Sequence, residues 1–148
     1  MREACHALAV MLALPLLAAL APAWRAARTE HVAAEYNTPV VAMRAGPHAG
    51  ALGAGVSFAS VAAPGGGVEL SWVKRAEDSP DLVLRLVEWN GRSETATVTL
   101  RPAIRAAHLS NFLEDPGPAV PHTAHTLRVA LHPYQIATVV VATAPERR

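Results

Sequence analysis

Cysteine, lysine, aspartate and aromatic side chains are all scarce in this chain, and each scarcity rules something out. The one cysteine, Cys5, lies in the N-terminal leader, residues 1–23. The rest of the chain therefore forms no internal disulfide and must be held by its core. One lysine, Lys74, accompanies twelve scattered arginines, and the net charge is +1. That excludes the basic stripe of a DNA- or RNA-binding protein. The three aspartates, Asp78, Asp81 and Asp115, all sit in turn-like contexts. Aromatic residues make up 5% of the 148 residues against 51% hydrophobic ones, with alanine a large share. Such a composition suits a globular domain long enough for one real core. Gly65-Gly66-Gly67 lacks both the Lys-Ser/Thr pair and the following helix that a phosphate loop requires.

What is present begins with an apolar run from Ala7 to Ala21, preceded by Arg2 and followed by Ala21-Pro22-Ala23. It resembles a secretory signal peptide and is too short for a comfortable membrane span of about 20 residues. Glu3 offsets Arg2 and Pro15 interrupts the run, so a spurious leader from a mis-set start is the competing reading. The protein is secreted under the first reading and cytoplasmic under the second. Once the leader is removed, no membrane span is expected.

Beyond the leader, Trp24 to Tyr36 reads as a helix rich in alanine and stopped by Asn37-Thr38-Pro39. Val40 to Met43 reads as extended, and Arg44 to Gly55 as a Gly- and Ala-rich loop. From Val56 onward, turn signals recur at Pro64 to Gly67, Asp78 to Asp81, Asn90-Gly91, Pro102 and Asp115 to Pro121. Thr95 to Leu100 alternates, Leu127, Val129 and Leu131 share a face, and Ile136 to Val141 reads as a buried final strand. The expected fold is mainly β: an antiparallel β-sandwich preceded by a short helix and the apolar N-terminal segment. The expected boundaries are 1–23 for the leader, 24–55 for the helix and linker, and 56–148 for the sandwich.

The most informative stretch is Ser71 to Gly91, SWVKRAEDSPDLVLRLVEWNG. Two apolar runs, Val68 to Val73 and Leu82 to Val87, flank a turn cluster from Glu77 to Asp81, which reads as a β-hairpin. Arg85 alternates with Leu84 and Leu86, and Glu88 closes the run. Both charges are expected on the sheet face opposite the leucines, and that face is expected to be covered.

This hairpin resembles the one that marks the C-terminal β-domain of glycoside hydrolase family 38, the α-mannosidases. The matching residues are Val73, Lys74, Ala76, Glu77 and Asp78 in the turn, then Leu82, Leu84, Arg85, Leu86, Glu88 and Gly91. Trp24 to Pro39 is similar to the family's entry into this region. Asn111 to Glu114 (NFLE) and Leu131 to Thr138 (LHPYQIAT) are similar to its late strands, with Tyr134 and Gln135 in place of Phe and Glu. The resemblance implies a non-catalytic module associated with mannose metabolism and carbohydrate binding. It implies a family 38 catalytic domain or a mannose-containing glycan as partner. Zinc is implied only for that catalytic domain, whose G-H-x-H-x-D-type run does not occur in this sequence. Retaining hydrolysis needs two carboxyl groups about 5 Å apart, so no catalytic residue and no cofactor are expected in this chain. The alternative is a secreted carbohydrate-binding or structural β-sandwich protein.

The candidate carbohydrate-binding or interface residues are Trp72, Lys74, Asp78, Arg85, Glu88 and Trp89. Trp72 and Trp89 read as sugar-stacking platforms or, more simply, as core or interface packing. Lys74, Glu77 and Asp78 read as sugar contacts or as residues that cap the turn. Arg85 and Glu88 read as an ion pair or as a contact with a neighbouring domain. His122, His125 and His132 have no accompanying carboxylate at ligand spacing and read as exposed histidines, with no metal expected. His31 and Glu35 read as a solvated pair on the helix.

Overall fold

The computed structural model describes residues 29–46, 49–50 and 55–144. The chain divides into two units, Met1–Pro47 and His48–Arg148. In the first, helix α1 (Thr29–Asn37) buries none of its residues. Its last turn is closed by Asn37 Nδ2 donating to the Ala33 carbonyl at 2.7 Å and by the Thr38 amide donating to the Ala34 carbonyl at 2.9 Å. The expected start at Trp24 and the apolar leader lie outside the described residues. His31 approaches Glu30 at 3.9 Å, so the carboxylate beside it is the adjacent residue, where helical spacing had suggested Glu35. Val40, Val41 and Met43, expected to be extended, are exposed and join no strand.

Among its described residues the second unit holds eight strands: β1 (Ala59–Ala62), β2 (Val68–Arg75), β3 (Leu82–Glu88), β4 (Glu94–Leu100), β5 (Ile104–Ser110), β6 (Pro116–Ala119), β7 (Thr126–Leu131) and β8 (Ile136–Thr143). They form a three-stranded sheet in the order β1-β4-β7 and a five-stranded sheet in the order β2-β3-β8-β5-β6. Every pairing is antiparallel. This is the mainly β sandwich that the spacing of turn signals predicted, with one short helix among the described residues.

Alternation explains which side chains go inside. Leu84 and Leu86 of β3, Ala96, Val98 and Leu100 of β4, Leu127, Val129 and Leu131 of β7, and Val139 and Val141 of β8 form one core. Each is every second residue of its strand and points between the sheets. Among the described residues no aromatic side chain enters this core, so aliphatic packing carries it at about 1.5–3 kcal/mol per fully buried leucine or valine. Among the described residues no helix is long and apolar enough to cross a membrane.

Three strands were not legible as such: β1, β5 and β6. The last is a correction, because Asp115 to Pro121 reads as a turn yet Pro116–Ala119 pairs with β5 through His108↔Ala119 and Ser110↔Pro116. Two prolines are tolerated there because β6 is an edge strand, and a missing N–H on the free side costs no ladder bond.

Candidate functional site

The hairpin of β2 and β3 sets the geometry. Its register shifts between Leu70 and Trp72, leaving Ser71 as the extra residue of a bulge, with its hydroxyl donating to the Arg85 carbonyl at 3.2 Å. Strict alternation would send Trp72 inward with Leu70. The bulge turns it outward, opposite Arg85.

Across the five-stranded sheet the outward rows are Lys74–Val83–Val140–His108 and Trp72–Arg85–Thr138–Ser110. Val83 and Val140 are only 2% and 4% exposed although they lie outside the inter-sheet core. Their face is covered, as expected from the charged residue in β3. The β5–β6 loop lies over it. Asn111 shapes that loop by accepting the Leu113 and Asp115 amides on Oδ1 at 2.9 and 3.1 Å, while its Nδ2 donates to Asp115 Oδ2 at 2.8 Å. Phe112 is thereby placed under the Arg85 guanidinium, 4.6 Å from the ring centroid, a cation–π distance.

Glu114 ties the loop to the hairpin. Lys74 Nζ donates to Glu114 Oε1 at 2.7 Å and to Glu77 Oε1 at 2.6 Å, and the Glu77 amide donates to Glu114 Oε2 at 2.9 Å. The Lys74 hydrogen bond and then the Glu77 amide hold the Glu114 carboxyl below its ordinary range. The same two carboxylates, Glu114 first, hold the Lys74 ammonium above its own. Lys74 and Glu77 therefore fix the turn, as the simpler reading had it. Glu114 and Phe112 were not among the candidates, because 37 residues separate Glu77 from Glu114 and only strand order brings them together.

Glu88 departs from expectation. It is in phase with Leu84 and Leu86, not with Arg85, because side chains two apart share a face, and it is 1% exposed. Its Oε1 accepts the Asn90 amide at 2.7 Å, and its Oε2 accepts the amides of Gly91, Arg92 and Tyr134 at 2.8, 3.1 and 2.9 Å. Glu88 is thus an internal anchor joining the β3–β4 and β7–β8 loops. It is neither the ion-pair partner of Arg85 nor a surface group. Two backbones bend to reach it: Gly91 at φ +68° and Tyr134 at φ +58°.

The tryptophans are not core residues. Trp72 is 58% exposed, while Trp89 is half-buried and donates from Nε1 to Glu69 Oε2 at 3.0 Å. Asp78 is exposed and lines a groove of about 370 Å³ with Asp81, His108, Leu113, Glu114 and Asp115. His122, His125 and His132 are exposed. The first two lie within hydrogen-bonding distance of the Thr123 and Leu100 carbonyls. Among the described residues no three His, Cys, Asp or Glu side chains are grouped to hold a metal ion.

On the covered face Arg85 Nε is buried and, among the described residues, has no hydrogen-bond partner, while Glu114, on the loop that carries Phe112, is taken by Lys74 and the Glu77 amide. A search of curated proteins finds no match. Residues 67–139, from the start of β2 into β8, match the family model for the glycosyl hydrolases family 38 C-terminal beta sandwich domain. Over those residues, just under half of its length, the chain is thus similar to the C-terminal β-sandwich domain of glycosyl hydrolase family 38.

Proposed function

We propose that this sandwich works as a non-catalytic module of an α-mannosidase-like glycoside hydrolase that processes mannose-containing glycans. The module mounts on a catalytic domain and does not cleave the sugar itself. The observation that carries this reading is the outer face of the five-stranded sheet. It buries Val83 and Val140 beneath a loop and still leaves Trp72, Phe112 and Ile136 at least half exposed.

The chemistry of the acids supports the same reading. A glycosidase acid needs a carboxyl whose pKa is raised so that it carries a proton near neutrality. Glu114 is held the other way by Lys74, and Glu88 spends its oxygens on four backbone amides. A second reading, a carbohydrate-binding sandwich, draws on the exposure of Trp72, whose ring face suits the apolar side of a pyranose.

The experiment is an assay of p-nitrophenyl α-mannoside hydrolysis by the chain alone, paired with fluorescence titration by α-mannobiose. The module reading expects no turnover and no saturable fluorescence change. Turnover above background overturns it, and a saturable change abolished by Trp72→Ala selects the second reading.

A further inference from the structure

We infer that the outer face of the five-stranded sheet docks a protein surface that presents a carboxylate ringed by apolar side chains, with that carboxylate received by Arg85. The inference rests on the module reading above and supplies the chemistry of its contact. Trp72 stands directly across the strand from Arg85, and Ile136 lies one row further along β8. Phe112 underlies the guanidinium, and Leu113 follows it at the loop's tip. These four apolar side chains are 50–83% exposed. An apolar patch gathered around one cation departs from the scattered single hydrophobics of an ordinary surface.

Charge complementarity selects the occupant. A guanidinium offers five donors in a planar fork, and Arg85 leaves its Nε buried without an acceptor. Stacking on Phe112 satisfies the face of the ion and none of its N–H groups. Glu114, on the loop that carries Phe112, cannot serve, because both its oxygens are engaged. The half-buried side chain keeps Nε out of reach of solvent, so a carboxylate from outside is received by the terminal Nη groups of the guanidinium. The apolar rim then excludes water from the pair, the arrangement in which an interfacial ion pair contributes most. A sugar offers hydroxyls and no anion, and a second copy of this chain would bring a second arginine to the same point.

The test is fluorescence titration of the full chain with a recombinant family 38 catalytic domain lacking its own C-terminal sandwich. Arg85→Glu, Trp72→Ser and, on the opposite sheet, Arg128→Glu are compared after circular dichroism confirms that each folds. Saturable binding is expected, weakened by at least ~30-fold in Arg85→Glu, clearly weakened in Trp72→Ser and unchanged in Arg128→Glu. Binding that survives both Arg85→Glu and Trp72→Ser overturns the docking surface and leaves the module reading standing. Absence of binding by the wild-type chain overturns the module reading, and the docking surface falls with it. Concentration-dependent dimers in sedimentation, lost in Arg85→Glu, assign the face to a second copy and overturn the inference. Quenching by α-mannobiose that Trp72→Ser abolishes assigns it to sugar, with the same consequence.

Discussion

The two sheets of the sandwich differ most on the faces they turn away from each other. The three-stranded sheet turns out Ser60, Ala62, Thr95, Thr97, Thr99, Arg128 and Ala130, short hydroxylated or small side chains with one arginine. The five-stranded sheet turns out valines beside Trp72, Lys74, Arg85 and Ile136, and draws the β5–β6 loop across them. Threonine suits a pleated surface wetted by solvent, whereas buried valine needs a lid. One outer face of the sandwich is a solvent-facing row of small and hydroxylated side chains, and the other is partly closed by its own loop.

The largest effect is expected where both faces are fastened. Glu88→Ala removes the acceptor of four backbone amides, so the protein should lose about 3 kcal/mol of stability. Urea denaturation measures it, and a loss under about 1 kcal/mol shows that the loops close without the anchor. Next, Val140→Thr places a hydroxyl under the loop and should cost about 1–3 kcal/mol, while Thr97→Val on the other outer face should stay within about 0.5 kcal/mol. Equal effects by thermal denaturation erase the contrast between the faces. Gly91→Ala should cost about 1–2 kcal/mol, because φ is +68° and a β-carbon there meets the Tyr134 ring.

The smallest effect concerns the Lys74–Glu114 tie. Glu114 is lowered in the folded state, so its contribution is present above the ordinary carboxylate range and lost as pH falls through the lowered value. Lys74 is raised, so its contribution is complete below the ordinary lysine value and lost only as pH climbs through the raised one. The loop should therefore stay closed through the neutral range and loosen in acid. The protection factor of the Glu77 amide, its intrinsic exchange rate divided by the rate observed by NMR at each pH, should fall across an acid titration in wild type and be low at all pH values in Glu114→Gln. A pH-independent protection factor in the wild-type protein removes the tie.

Much of this was legible in the residues, for definite reasons. The hairpin, β4, β7 and β8 followed from alternation, and the turn cluster at Glu77 to Asp81 follows from side chains that bond their own backbone. Other features escaped. Trp72 points outward only because of the bulge at Ser71, and one inserted residue reverses every inference from parity beyond it. Glu88 shares the parity of Leu84 and Leu86, and its position at the strand end, where four amides converge, distinguishes an anchor from a surface acid. Pro116 to Ala119 reads as a turn because proline opposes strands, and only its edge position reconciles the two. The Glu114 and Arg85 environment depends on a loop crossing three strands, information that resides in the topology and not in local spacing.

Hydrogen exchange of the chain with and without a family 38 catalytic domain tests the central claim most directly. The account predicts new protection in the loop from Asn111 to Asp115 and at the β2 bulge around Ser71, with the outer face of β4 and β7 unchanged. Protection confined to the threonine-lined sheet, or none on either face, contradicts it.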